Sequence, residues 1–215
     1  QGPKAENLIS KIFGNQIKNI DFFKFGWIEF QGTQQLIARS GYSRQGGFEI
    51  YLQNSNLGSD LWETIWEAGI EFEISPGCPN LIERIEGGLL SYGNEFTREN
   101  NPLEIGLAKF CSLDGSIDFI GRAALEKIAT TGVKKKIRGV TFDGDKCPTC
   151  SIPWPVMVRD EKIGQITSAI WSPRLKKNVG LSLIDQNYWL PKQSVEVHSQ
   201  DNKIRLGEIS SLPFI

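Results

Sequence analysis

The sequence predicts an α+β domain, an antiparallel sheet with helices over residues 1–131, followed by a small all-β domain, a barrel or sandwich, over residues 132–215. Three observations predict it. Helical apolar stripes alternate with a hairpin pattern through the first part. From about Gly132 the texture changes to short alternating runs with turn residues between them and no helical stripe. With 40% hydrophobic residues in 215, the chain can bury a core in one large or two small domains.

Leu8, Ile9, Ile12 and Phe13 form a helical stripe closed by Gly14. Residues 25–30 (FGWIEF) alternate as a strand, turn at Gln31-Gly32 and pair with 35–39. A loop carrying Gly41, Gly46 and Gly47 then leads into a strand at 48–51. Alternation puts Glu49 and Tyr51 on one face and Phe48 and Ile50 on the other. With the apolar pair in the core, a carboxylate and a phenol line the opposite face. Glycines permit close approach of backbone to a ligand, although the same features fit a plain hairpin turn with a solvated glutamate.

Asp60 and Glu63 read as a D-x-x-E cap before Leu61, Ile65 and Trp66, so a helix follows. Pro79 suits the first turn of another helix, with Leu81, Ile82 and Ile85 inward before Gly87-Gly88. Asn80 and Arg84 share one face of that helix and Glu83 lies on another. Beyond Gly132, residues 137–142, 156–159, 164–168, 179–184, 195–197 and 204–209 read as strands of a barrel or sandwich. Lys134-Lys135-Lys136 reads as a solvated strand edge.

Charge is balanced, 24 basic against 25 acidic residues, with no basic stripe for nucleic acid. No apolar run is long enough to span a bilayer, and no signal peptide opens the chain. Cys147-Pro-Thr-Cys150 has metal or redox spacing, but no second pair accompanies it and His198 is the single histidine. A reduced, cytosolic pair of loop cysteines is the simpler reading, and no metal is expected. Ser-His-Asp sets, a P-loop and GxGxxG are absent. Catalysis therefore points to a bound cofactor and to positioning, with no side chain assigned a catalytic role.

Five blocks, in order, carry a resemblance. Residues 39–50 (RSGYSRQGGFEI) resemble the RxGYTGEDGFEI segment of the glycine-cleavage T-protein (aminomethyltransferase) family, and 84–95 (RIEGGLLSYGNE) its RLEAGLxLYGND. QGPKA at 1–5, NPLE at 101–104 and TSAIWSPRLKKN at 167–178 are similar to its LQGPKA, TPxE and TSGxxSPSLKKN. The resemblance implies a folate-binding domain, closed by a β-barrel, acting on tetrahydrofolate. It also predicts a chain lacking the N-terminal part of that domain, because the family carries its QGPKA motif well inside.

Residue by residue, the resemblance assigns Glu49 and Tyr42 to the pterin, where a carboxylate pairs with adjacent N–H donors. Trp27 aligns with an aromatic near the folate, or is a core residue. Arg84 matches a family arginine, and ion pairing with Glu86 or Glu49 explains it equally well. Asn80 stands where the family helix opens with an arginine. Trp171 and Tyr51 are candidates for the substrate side.

The family's GED turn is here Arg44-Gln45-Gly46, and the stretch between Glu49 and Arg84 is longer than in the T-protein. These departures are similar to a related branch, the dimethylsulfoniopropionate demethylases of marine bacteria. That branch implies methyl transfer from a sulfonium to tetrahydrofolate, leaving methylmercaptopropionate and methyl-tetrahydrofolate. A sulfonium is a fixed cation that aromatic faces can hold. The alternatives are an aminomethyltransferase with a lipoyl carrier partner, the methyltransferase half of a dimethylglycine- or sarcosine-oxidising enzyme, and a non-enzymatic folate-binding relative. The last is marked by a cysteine motif that this chain lacks. The expected partner is a small-molecule methyl donor, a sulfonium or methylamine, in a cytoplasmic protein. An unpaired strand edge also allows a homodimer.

Overall fold

The computed structural model describes residues 1–77, 81–115 and 117–215. Cys78, Pro79, Asn80 and Ser116 lie outside the described residues, and with them the expected roles of Pro79 and Asn80. The chain forms two compact units, Gln1–Asn80 and Leu81–Ile215.

The first unit is a three-stranded antiparallel sheet with two helices. Helix α1 (Ala5–Phe13) buries Leu8, Ile9 and Phe13, and ends where Gly14 turns to φ +83°. Strands β1 (Phe25–Phe30) and β2 (Thr33–Ala38) form the expected hairpin, with Phe30 opposite Thr33 and both Gln31 and Gly32 at positive φ. A two-residue turn of this kind matches the natural twist of the strands. Strand β3 (Glu49–Tyr51) pairs with β2 after the loop 39–48. One sheet face, with Ile28, Phe30 and Ile37, packs on Ile9, Phe13, Ile17, Ile20 and Leu61, with Phe48 and Ile50 against the cluster. Each such side chain contributes roughly 1.5–3 kcal/mol when fully buried.

Helix α2 (Gly58–Gly69) starts earlier than the D-x-x-E signature predicts. Asn54 caps the preceding turn at Ser55–Leu57 by accepting from the Asn56 amide at 3.1 Å, and the chain runs from that turn into the helix. Asp60 therefore sits in the first turn, where a carboxylate favours the helix dipole, and is not the cap. Leu61 is buried as expected, whereas Trp66 stacks on Trp62 at the surface.

The second unit is a closed barrel with α3 against its outer wall. Helix α3 (Leu81–Glu86) buries Arg84, Ile85 and Glu86; Leu81, expected inward, is exposed. Helix α4 (Arg122–Thr131) was not legible as a helix, and none of its residues is fully buried. Strands β4 (Lys135–Phe142), β5 (Trp154–Val158), β6 (Glu161–Ser172), β7 (Lys177–Asp185), β8 (Ser194–His198) and β9 (Ile204–Ser210) close in the order β4-β7-β6-β5-β8-β9. Closure leaves no free sheet edge. The interior is filled by Val140, Phe142, Trp154, Val156, Ile163, Ile166 and their neighbours. Outside, Ile85 of α3 packs on Val179 and Leu181 of β7.

Candidate cofactor-binding site

The face of the first unit's sheet turned away from the core carries the expected group. Trp27, Leu36 and Tyr51 stand directly opposite one another across β1, β2 and β3, and the next row is Phe25, Ala38 and Glu49. Trp27 is 54% and Tyr51 51% exposed. Trp27 is thus a surface aromatic on the side of Glu49, not a core residue. Glu49 is exposed, and its carboxylate accepts a hydrogen bond from the Ser40 hydroxyl. An aromatic row beside a carboxylate suits a flat ring with adjacent N–H donors. A cavity of about 720 Å³ lies on the core side of the same sheet, lined by Leu8, Ile9, Phe48, Ile50, Leu61 and others. Lys4, Gln45 and Glu73 also line it, and it lies across β3 from the Glu49 carboxylate.

Tyr42 is half-buried in the loop between β2 and β3. That loop is organised by Gln1, a residue that sequence reasoning passed over. The Gln1 amide nitrogen donates to the Ser40 carbonyl at 3.1 Å and the Phe48 carbonyl at 3.3 Å, and its oxygen accepts from the Ser43 hydroxyl at 3.1 Å. The only signal in the sequence was the pairing of QGPKA with a glycine-rich loop.

In the second unit, Arg84 pairs with Glu95 and not with its helix neighbour Glu86. Its guanidinium donates to Glu95 at 3.1 Å, to the Leu89 carbonyl at 3.1 Å and to the Ser168 hydroxyl at 2.6 Å. Glu95 also accepts from the Ser91 amide at 2.6 Å and from Thr167 and Ser168. A bulge in β6 between Ile166 and Ser168 is what turns two consecutive hydroxyls to one carboxylate. The neighbouring Glu86 is fully buried, accepts from Ser172 at 2.5 Å, and has Arg174 Nε 3.1 Å from its other oxygen.

Trp171 is half-buried and lies opposite Asn178 on β7. Ala169 belongs to the barrel interior, so alternation turns Trp171 toward the same side, while Ser168 and Ser172 face α3. Asn178 is fully buried, accepts from the Cys147 amide at 2.8 Å and donates to the Asp145 carbonyl at 3.0 Å. Cys147 and Cys150 are free thiols packed against the barrel interior. Burial pushes them up, Cys147 to about 11 and Cys150 to about 12. Among the described residues no group of three or more His, Cys, Asp or Glu could hold a metal ion, and no helix is long and apolar enough to cross a membrane.

Residues 1–115 match the GCVT N-terminal domain. The chain belongs to the glycine cleavage T-protein family. Residues 135–215 match its second element, the glycine cleavage T-protein C-terminal barrel domain, which contains all six barrel strands. Among curated T-protein relatives, the dimethylsulfoniopropionate demethylase of Ruegeria pomeroyi is 44% identical over 201 residues, 94% of this chain and 54% of that protein. The aminomethyltransferase of Caldanaerobacter subterraneus is 38% identical over 201 residues, 92% of this chain and 52% of that protein. The crystal structure of glycine cleavage system aminomethyltransferase T from Bartonella henselae shares the fold, with a TM-score of 0.78 over 100% of this chain and 58% of that one, at 19% identity. The chain spans about half the length of the curated relatives it matches. Against the T-protein motif RLEAGLxLYGND, Glu95 replaces the final aspartate; it is this longer carboxylate that Thr167 and Ser168 meet.

Proposed function

We propose that the protein is a tetrahydrofolate-dependent methyltransferase, moving a methyl group from dimethylsulfoniopropionate to tetrahydrofolate and leaving methylmercaptopropionate and 5-methyl-tetrahydrofolate. The observation that carries the reading is the row Trp27–Leu36–Tyr51, in which both aromatics are exposed, with Glu49 beside it. The 44% identity to the Ruegeria demethylase supports the choice of donor. Bound tetrahydrofolate supplies the ring nitrogen that accepts the one-carbon unit. Glu49 accepts from the pterin's adjacent N–H groups and fixes its orientation. Trp27 and Tyr42 offer aromatic faces to the ring, and Tyr51 can hold a sulfonium by cation–π attraction. Arg84, Trp171 and Asn80 enter this reading as residues to test singly. Since the sulfonium methyl is already activated, in-line transfer needs alignment and little acid–base help.

In this reading residues 1–131 belong to the folate-binding domain and 132–215 to the barrel domain, in a cytoplasmic enzyme that can form a homodimer. The 38% identity to aminomethyltransferases favours a second reading, in which an aminomethylated lipoyl carrier is the donor and ammonia is released. Incubation with tetrahydrofolate and each donor, with the folate products separated by chromatography, decides between them. Methyl-tetrahydrofolate from the sulfonium is expected, with Glu49→Ala lowering kcat/KM about 10- to 100-fold, the worth of a charged hydrogen bond. Methylene-tetrahydrofolate from the lipoyl carrier alone would replace the demethylase by the aminomethyltransferase.

A further inference from the structure

We infer that Gln1 is a positioning residue of the folate site, an amide around which the Tyr42 loop is wound. The inference rests on the proposed folate reading for its function, but its geometry is independent of it.

The loop joining β2 to β3 contains Gly41, Gly46 and Gly47. Three glycines in so short a connection make it costly to order, because each has more conformations to lose than any other residue. Gln1 offsets that cost. Its two N–H bonds go to the carbonyls of Ser40 and Phe48, the two ends of the loop, so one –NH2 group ties the strand exit to the strand entry. Its carbonyl oxygen accepts from Ser43 in the middle of the loop, and the Ser43 hydroxyl in turn accepts from the Gln45 amide at 3.2 Å. The next residue adds a backbone bond, from the Gly2 amide to the Gly46 carbonyl at 3.0 Å.

Packing makes the same point. A Cβ placed on Gly41 would stand 1.9 Å from the Gln1 side-chain oxygen, and one on Gly47, whose φ is +145°, 2.7 Å from its nitrogen. The two glycines are therefore the room left for this amide. The orientation of the amide is also decided: with oxygen and nitrogen exchanged, an acceptor would face two carbonyls.

What Gln1 holds is the spacing between two pterin-facing groups. Ser40, whose carbonyl takes one Gln1 bond, donates its hydroxyl to Glu49. Phe48, whose carbonyl takes the other, directly precedes Glu49, and Tyr42 follows Gly41. The chain Gln1–Ser40–Glu49 thus links the amide to the carboxylate proposed to orient the ring.

The test uses Gln1→Glu, Gln1→Ala and Gly47→Ala in the full chain, reading tetrahydrofolate affinity by tryptophan fluorescence between pH 5 and 8 and hydrogen exchange of the loop amides. Gln1→Glu is isosteric but, when ionised, turns an acceptor toward the Ser40 and Phe48 carbonyls. At pH 8 it should weaken folate binding about tenfold or more and speed loop exchange, with strand exchange in β1 and β2 unchanged. On acidification the introduced carboxyl regains an O–H donor, so the deficit relative to wild type should shrink; with Gln1→Ala it should not. Gly47→Ala keeps the amide and crowds it, and should weaken binding at every pH. Wild type that binds folate while all three variants bind equally well overturns the role of Gln1 and leaves the folate reading standing. Wild type that binds no folate overturns both.

Discussion

Arg84 and Glu95 form an ion pair of 3.1 Å in which the side chains retain 4% and 0% exposure. A pair this deep is held by its surroundings: Leu89, Ser91, Thr167 and Ser168 supply the remaining hydrogen bonds. Each partner is the other's compensation for lost hydration. The pair ties α3 to β6 of the barrel within one unit.

Removing one partner should therefore cost far more than the pair is worth. Arg84→Ala leaves a carboxylate buried without its counter-ion and is expected to destabilise the fold by about 3–5 kcal/mol. For a chain of this size that lowers the unfolding midpoint by roughly 10 °C. Arg84→Lys should recover only part of it, since one ammonium cannot reach Glu95, Leu89 and Ser168 with the same fork. Thermal unfolding checks this; an Arg84→Ala midpoint within a degree of wild type would show that the network is not a brace.

Asn178 holds the loop before β5 from inside the protein. It receives the Cys147 amide and donates to the carbonyls of Asp143, Gly144 and Asp145, at 3.5, 3.4 and 3.0 Å. Asn178→Asp keeps the shape but sets a carboxylate against those carbonyls. A loss of about 2–3 kcal/mol is expected from urea unfolding, with faster exchange of the Cys147 amide. Unaltered exchange at Cys147 would disprove the anchoring.

The two barrel thiols predict a pH dependence. Burial raises Cys147 to about 11 and Cys150 to about 12, from an ordinary value of 9.0. Above pH 9 the unfolded chain releases these protons while the folded one keeps them, so ν in the unfolded state falls below ν in the native state and stability declines as pH rises. The thiol contribution is fully present below pH 9 and is lost through pH 11–12. Urea midpoints at pH 7, 9 and 10.5 should fall, and more shallowly in Cys147→Ala/Cys150→Ala. At pH 7 both thiols should react slowly with a disulfide reagent until the protein is unfolded. Rapid labelling of the native protein would contradict their burial.

How much of this was legible beforehand depended on the range of the interaction. The Gln31-Gly32 hairpin and the opposition of Glu49 and Tyr51 to Phe48 and Ile50 follow from turn chemistry and a two-residue period, both local. Helix spacing, by contrast, offered Arg84 a partner nearby or on a strand, and the structure gave it Glu95, reached after the chain turns back at Gly87-Gly88. Asp60 looked like a cap, until the Asn54 turn supplied an earlier start for the helix.

By itself, then, the sequence determined the order of the strands and of every helix but α4, the family motifs, and which face of β3 carries Glu49. Only the tertiary structure decided that β6 bulges to aim Thr167 and Ser168 at Glu95, and that Gln1 fills the space beside Gly41 and Gly47. Local periodicity records which side of a strand is apolar. The partner of a buried polar group is chosen by whatever the folded chain brings within hydrogen-bond reach, and no spacing rule records that.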